Sequence, residues 1–111
     1  GRCFACVMGA MGELGDVAAK EHRALGRALA ASGCEAVFWV GDYAGEVREA
    51  LAEAHYAGFF AETPRPEDFS AALKDWEKGR EDKGVVLFKG SRVNRMERFV
   101  NLFMEQKNHA L

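Results

Sequence analysis

Apolar residues along the chain follow two periods, and each change of period marks a predicted element. Short continuous apolar runs, typical of buried strands, cover residues 3–8, 35–40, 58–61 and 84–88. After each run, apolar residues recur every three or four positions, as on one face of a helix. The pattern therefore predicts four strands that alternate with four helices.

The predicted helices have recognisable ends and inward faces. Asp16 is expected to cap the first helix, over residues 17–32, and Gly33 to end it. The second helix is expected over residues 44–54, and Pro66 stands where the start of the third tolerates a missing N–H. The residues predicted to face inward are Ala18, His22, Leu25 and Leu29; Val47, Leu51 and Ala54; Phe69, Leu73 and Trp76; and Met96, Phe99, Val100 and Phe103.

This alternation predicts the α/β class, here a Rossmann-like three-layer sandwich. The sheet is expected to be mostly parallel with helices on both faces, because parallel strands need crossover connections. Right-handed crossovers favour the strand order 3-2-1-4, in which the chain reverses direction between strands 1 and 4. In such sheets ligands bind beyond the carboxyl ends of the strands at that reversal point.

Length and composition narrow the range of functions. The 111 residues are expected to form one domain, residues 1–111, with an ordinary hydrophobic fraction of 49%. The net charge of -2 argues against nucleic-acid binding, which needs a basic face. No apolar run approaches the roughly 20 residues of a membrane span. The start at Gly1 is typical of a domain excised from a longer chain and differs from a signal peptide.

The three cysteines are an odd number, which does not suggest a disulfide framework. Cys3 and Cys6 form a C-x-x-C pair, but on a strand the two side chains point to opposite faces. The sequence has no second pair that would complete a zinc site. Buried thiols in a reducing cytoplasm are therefore expected, with no metal site.

Two unusual loops follow the predicted strands 1 and 4. Gly9, Gly12 and Gly15 are spaced three apart, which matches neither the G-x-G-x-x-G of dinucleotide-binding proteins nor a P-loop. The second loop reads Lys89-Gly90-Ser91-Arg92. Because strands 1 and 4 flank the reversal point, the two loops are predicted to face each other across one crevice.

The side chains of these loops suggest a ligand with both an anionic and a cationic group. Lys89, Arg92 and the N–H groups of the helix start at Ser91 suit a carboxylate or a phosphate. Glu13 suits an ammonium group or Arg92, and His22 lies one turn into the first helix on its inward face. An amino acid or a short peptide satisfies this set. The predicted loop backbone of the site comprises Gly9, Met11, Gly12, Gly15 and Gly90.

Each feature also has a purely structural interpretation. The glycines can serve a tight turn and helix packing alone, and residues 89–92 can form a surface turn with a serine cap. His22 can be a hydrogen-bonded helix histidine. The predicted facing of the two loops is what favours a site over these interpretations.

Residues from one end of the chain to the other match a known family in order and spacing. They are Met8–Gly15, His22 with Gly26, Val40-Gly41, Leu87–Arg92 and Met96-Glu97. With these residues the sequence resembles the C-terminal domain of the Mur ligases. Among them it is most similar to those that add D-alanyl-D-alanine to UDP-N-acetylmuramoyl-tripeptide. The combination of "GELG" with "KGSR" and "ME" is specific, whereas either part alone would be weak.

The resemblance implies a cytoplasmic, ATP-dependent amide-bond ligase of peptidoglycan synthesis, with a role in cell shape and cell division. In that family the first domain holds the UDP-sugar peptide, and the central domain holds ATP and magnesium. The third domain, resembled here, closes over both and keeps water from the acyl phosphate. The chain is therefore expected to be a monomeric substrate-binding domain. Its expected substrate-binding residues are Glu13, His22, Lys89, Ser91 and Arg92.

Two departures from the family pattern matter. Ala10 stands where the family usually has Asp, and the Asp-x-Tyr-Asn-Ala-Asn-Pro segment that contacts the nucleotide is missing before the first strand. Without a P-loop or magnesium ligands, the domain alone is expected to hold no catalytic residue and to be inactive. The alternatives are another Mur-type or folylpolyglutamate-type ligase domain, and a stand-alone small-molecule-binding α/β module.

Overall fold

The chain folds around a central four-stranded sheet. The computed structural model describes residues 4–78, 85–90 and 94–109, and for residues 108 and 109 it describes the backbone alone. The elements are β1 (Phe4–Gly9), α1 (Ala18–Ala31), β2 (Ala36–Val40), α2 (Ala44–Glu53), β3 (Phe59–Glu62), α3 (Pro66–Glu77), β4 (Val85–Lys89) and α4 (Glu97–His109). A short 3-10 helix, Gly15–Val17, precedes α1. Every predicted strand and helix is present.

The strand order is β3-β2-β1-β4, and all neighbouring strands are parallel. β1 is paired on both sides, with Met8 opposite Trp39 of β2 and opposite Lys89 of β4. The predicted fold class and strand order are therefore confirmed. The reversal point lies between β1 and β4, whose carboxyl ends are side by side.

Each face of the sheet carries its own apolar core. On one face, Trp39 packs in a cluster that includes Val47 of α2. On the other face, Phe38 packs with Phe69 of α3 and Phe99 of α4. All five residues of β2 are buried, as expected for a central strand that helices cover on both sides.

The edge strand β4 is covered on one face. Val86 and Phe88 pack against the α3 and α4 cluster. Val85 and Leu87, which point to the other face, are 48% and 45% exposed. Within the described ranges, therefore, α1 and α2 do not cover this face of β4.

The close crossing of α1 and α2 depends on Gly26. A Cβ atom at this position would lie 2.7 Å from the Cβ of Ala50 and 3.0 Å from the carbonyl oxygen of Val47. Any side chain larger than hydrogen would push the two helices apart. This crossing holds α1, which carries His22, at its position against the sheet.

Several local predictions were wrong. Asp16 does not cap α1, because it lies within the 3-10 helix, and the residue before α1 is Val17, without a side-chain cap. Ala54 is exposed because α2 ends at Glu53, and Ala50 takes the inward position. Strand β3 begins and ends one residue later than predicted, and β4 ends one residue later, while residue 84 lies outside the described residues.

Other helix ends agree with the predictions. Gly33 follows α1 with a φ of 86°, in the left-handed region that suits glycine. Pro66 is the first residue of α3, and the Asp68 carboxylate accepts the N–H of Arg65 at 3.1 Å. The longest described helix, α1, has 14 residues. No described helix has the length and apolar character that a membrane crossing requires.

Candidate functional site

The carboxyl ends of β1 and β4 open onto a cavity of about 340 Å³. Because Met8 of β1 and Lys89 of β4 are paired in register, the two strands end at the same level of the sheet. The cavity is lined by Met8, Gly9, Met11, Gly12, Leu25, Lys89 and Gly90. The two loops therefore face each other, and they bring together five of the residues that the sequence proposed for a site.

The remaining predicted loop residues do not line this cavity. Glu13 is exposed and Gly15 begins the 3-10 helix, and neither contributes to the cavity wall. The left-handed backbone of the loop lies at these two residues, with φ values of 60° and 56°, and not at Gly12. Ser91 and Arg92 lie outside the described residues.

The loop after β1 is held by backbone N–H groups at its start. The N–H of Ala10 donates to the carbonyl oxygen of Val40 at 2.9 Å, which extends the β1–β2 pairing by one residue. The N–H of Met11 donates to Nε2 of His22 at 3.0 Å. The first two residues of the loop are thus fixed, one to β2 and the other to α1.

His22 serves this loop and is closed to a ligand. Its imidazole is completely buried, with Nδ1 2.7 Å from the carbonyl oxygen of Ala18. Since Nε2 accepts from Met11, Nδ1 carries the proton and donates, so both ring nitrogens are used within the domain. The expectation that His22 contacts substrate is therefore corrected, because no ring nitrogen is available. The hydrogen-bonded helix histidine is the interpretation that this geometry supports.

The loop after β2 contacts His22 through Tyr43. The ring of Tyr43 stacks on the His22 ring, with centroids 4.3 Å apart, and Trp39 meets the same ring edge-on at 5.7 Å. Tyr43 has a φ of 67°, a left-handed conformation that is strained for a bulky side chain. The Nε1–H of Trp39 donates to the carbonyl oxygen of Asp42 at 2.7 Å. Sequence reasoning missed Tyr43, because periodicity carries no information about ring stacking.

Lys89 gives the cavity its charge. Its side chain is exposed and has no ion pair or hydrogen bond within the described part of the chain. The apolar side chains of Met8, Met11 and Leu25 line the same cavity, together with glycine backbone. A cation beside a small apolar wall is suited to a carboxylate that carries a short aliphatic group, such as the end of a small peptide.

Asn94 is a second residue that sequence reasoning missed. It is 5% exposed, and it lies over the chain where three strands end, against Gly9, Gly41 and Gly90. The signal in the sequence is indirect, since each of these glycines follows or ends an apolar strand. Asparagine itself carries no periodic signal.

A larger groove, of about 710 Å³, lies beside Cys34 and Tyr56, where β2 and β3 begin. We call this side of the sheet, where the strands begin, the amino edge, and the side where the strands end the carboxyl edge. The hydroxyl of Tyr56 donates to the carbonyl oxygen of Cys34 at 3.0 Å. Cys6 and Cys34 are free and buried, as expected, while Cys3 lies outside the described residues. The hydrogen bond to Cys34 and burial raise the pKa of the Cys6 thiol, and burial raises the pKa of Tyr56. Cys6 and Tyr56 therefore stay protonated, whereas the hydrogen bond with Cys6 lowers the pKa of the Cys34 thiol.

The chain matches the family model of the Mur ligase, glutamate ligase domain, over residues 1–92. It also resembles several solved structures. Crystal structure II of MurF from Acinetobacter baumannii aligns over 95% of this chain with 31% identity and a TM-score of 0.78. The structure of MurF ligase from Thermotoga maritima in complex with ADP aligns over 100% of it with 26% identity and a TM-score of 0.75.

A further structure of MurF from Acinetobacter baumannii, crystal structure I, aligns over 91% of the chain with 32% identity and a TM-score of 0.72. The chain spans 23%, 24% and 21% of the lengths of these three proteins. No curated protein sequence matches the chain. The similarity thus covers nearly all of this chain and about a quarter of each longer protein.

Proposed function

Because the chain belongs to the Mur ligase family, we propose that it is the C-terminal domain of an ATP-dependent ligase that joins D-alanyl-D-alanine to UDP-N-acetylmuramoyl-tripeptide. The observation that carries this proposal is the cavity between the loops after β1 and β4, with Lys89 in its wall. The similarity to MurF structures supports this choice of amine substrate. The activity belongs to the complete protein, since the chain spans about a quarter of those structures.

The reaction forms an amide bond in two steps. ATP transfers its γ-phosphate to the terminal carboxylate of the tripeptide, which yields an acyl phosphate and ADP. The neutral amine of the dipeptide then attacks the acyl carbon, phosphate leaves, and the amine loses a proton. Water must be excluded because it would hydrolyse the acyl phosphate. The contribution proposed for this domain is to bind and orient the dipeptide and to cover the reacting groups.

The proposed roles in dipeptide binding belong to side chains of the two loops and to His22 of α1. Lys89, followed by Ser91 and Arg92, binds the dipeptide carboxylate, and the apolar wall beside Lys89 accepts a methyl group. Glu13, at the rim of the other loop, attracts the ammonium group as the dipeptide arrives. His22 positions the Met11 amide and does not contact substrate.

ATP and Mg²⁺ are proposed to be bound mainly by another domain of the complete protein. In the described ranges, no three or more His, Cys, Asp or Glu residues are close enough to hold a metal ion. The MurF structure from Thermotoga maritima contains ADP, which supports nucleotide use in this family. We place the complete protein in the cytoplasm as a monomer of the cell-wall pathway, and we expect the domain alone to be inactive.

The proposal is tested by phosphate release from the complete protein with ATP, Mg²⁺ and UDP-N-acetylmuramoyl-tripeptide. We expect release that depends on D-alanyl-D-alanine, with formation of the pentapeptide product. Glutamate and a diamino acid serve as competing amine substrates, because other Mur-type ligases and folylpolyglutamate synthetases use them. Release with one of these and none with the dipeptide would overturn the proposed substrate. A folded protein that binds ATP and releases phosphate with none of them would overturn the ligase activity.

A further inference from the structure

Asn94 lies at the junction of three strand ends. Gly9 is the last residue of β1, Gly90 follows β4, and Gly41 follows β2. A Cβ atom built on Gly9 would overlap the Oδ1 atom of Asn94, and its three nearest atoms all belong to the Asn94 side chain. A Cβ on Gly90 would lie 2.7 Å from the same Oδ1, and one on Gly41 would lie 3.4 Å from Nδ2. The amide of Asn94 therefore occupies the space that these glycines leave open.

The position of Asn94 is set by the helix that follows it. Phe99, in the first turn of α4, is completely buried in the core between the sheet and α3. Its N–H donates to the carbonyl oxygen of Met96 at 2.9 Å, and the side chain of Arg98 donates to the carbonyl oxygen of Asn94 at 3.4 Å. The start of α4 is thus anchored to the core, and it carries the Asn94 amide to the strand ends.

We propose that Asn94 is a positioning residue that holds the loop after β1 and the loop after β4 at a set distance, and so determines the width of the cavity between them. Gly9 and Gly90 lie one residue beyond the paired Met8 and Lys89, which makes their contact with Asn94 the first constraint between β1 and β4 after the pairing of these two strands ends. The consequence for dipeptide binding rests on the proposed function, whereas the coupling between Asn94 and Gly9 does not.

The first test measures that coupling without any substrate. Gly9→Ala, Asn94→Ala and the double variant are made in the complete protein, and amide hydrogen exchange of residues 10–15 and 85–90 is followed by mass spectrometry. Gly9→Ala alone is expected to speed exchange about tenfold, a change of the size that residues in contact produce. In the Asn94→Ala background the added methyl group meets no Asn94 side chain, so the same substitution is expected to cause no further increase. Equal effects of Gly9→Ala in both backgrounds would overturn the proposal.

Two controls match these substitutions. Gly45→Ala adds a methyl group where no atom lies within 4 Å. Asn101→Ala removes an exposed asparagine from α4, the helix that follows Asn94. Both controls are expected to leave the exchange of the two loops unchanged. A control that accelerates exchange as much as Gly9→Ala would show a general loss of stability and would also overturn the proposal.

The second test separates positioning from folding. In the complete ligase, Asn94→Ala is expected to raise the KM for D-alanyl-D-alanine about tenfold and to change the KM for ATP less than about twofold. A loss of folded protein alone would lower the apparent kcat and leave both KM values unchanged, which would contradict the positioning role. Absence of dipeptide-dependent activity in the unsubstituted protein would count against the proposed function, while the exchange experiment would still decide the role of Asn94.

Discussion

The two edges of the sheet differ in a way that cavity size alone conceals. The groove at the amino edge, of about 710 Å³, is twice as large as the 340 Å³ cavity between the loops after β1 and β4. At the amino edge the buried polar groups are engaged with each other, since the hydroxyl of Tyr56 donates to the carbonyl oxygen of Cys34, and an exposed side chain there is the imidazole of His55. At the carboxyl edge Lys89 faces solvent with no partner in the described ranges. We therefore locate the proposed site by its cation beside an apolar wall, and not by cavity volume.

Backbone conformation distinguishes the same two edges. Glu13 and Tyr43, with φ values of 60° and 67°, lie in the loops that precede α1 and α2, where helix termination does not require a left-handed residue. His55, with a φ of 57°, lies just after α2, where a left-handed residue is an ordinary way to end a helix. Strain that local structure does not explain is therefore found at the carboxyl edge.

The largest effect is expected from His22→Ala. This substitution removes a buried ring and two hydrogen bonds, and we expect the free energy of unfolding to fall by roughly 3 kcal/mol. Ligase activity should fall as well, because the Met11 amide loses its partner. Urea denaturation of the variant and of His55→Ala, an exposed histidine of the amino edge, measures the difference. Equal losses at both histidines would contradict the structural role of His22.

Lys89→Ala is expected to lower kcat/KM for D-alanyl-D-alanine by about 10- to 100-fold, since a charged hydrogen bond to the substrate contributes roughly 1.5–3 kcal/mol. Stability should change little, because the side chain is exposed. Steady-state kinetics of the complete ligase measures the effect, with Lys74→Ala, another exposed lysine, as the matched control. Unchanged kinetics would remove Lys89 from the site.

Glu13→Gln is expected to have a smaller effect, because this side chain lies outside the cavity wall. Removing its charge should raise the KM for the dipeptide by about fivefold at low ionic strength and by less at high salt, as for an exposed steering charge. The measurement is KM at two salt concentrations, with the exposed Glu67→Gln as the control. An effect that does not depend on salt would argue for direct contact instead.

The smallest effect is expected from Tyr56→Phe at the amino edge. Loss of one hydrogen bond should lower the free energy of unfolding by about 1 kcal/mol and leave kcat/KM unchanged. The folded chain raises the pKa of Tyr56, mainly by burial, so its stabilising contribution is complete below about pH 10 and is lost as the pH rises further. The variant should lose less stability than the native chain above that pH. A clear loss of ligase activity would instead assign a functional role to this edge.

Much of this architecture follows from the sequence because it depends on local periodicity and on general topological rules. Short apolar runs and helical stripes predict the elements, and right-handed crossovers place the loops after β1 and β4 side by side. The strand order and the position of Gly9 and Gly90 in the wall of one cavity follow from these rules. The errors at Asp16 and Ala54 arise because helix ends depend on a few local hydrogen bonds.

The roles of single side chains were harder to predict. Periodicity places His22 on an inward face, but it does not reveal that its two nitrogens bind Ala18 and Met11. Asn94 contacts Gly9, which is 85 residues earlier in the chain, and no local pattern encodes such a contact. The same holds for the Tyr56–Cys34 hydrogen bond. These interactions are specified by the packed structure.

We propose that the amine substrate binds between the loops after β1 and β4, in the 340 Å³ cavity. Amide hydrogen exchange of the complete protein, with ATP, Mg²⁺ and UDP-N-acetylmuramoyl-tripeptide present, tests this claim when it is measured with and without D-alanyl-D-alanine. We expect the dipeptide to slow exchange in residues 8–15 and 85–90 and to leave residues 54–59 at the amino edge unchanged. Slower exchange in residues 54–59, with no change at the carboxyl edge, would contradict it.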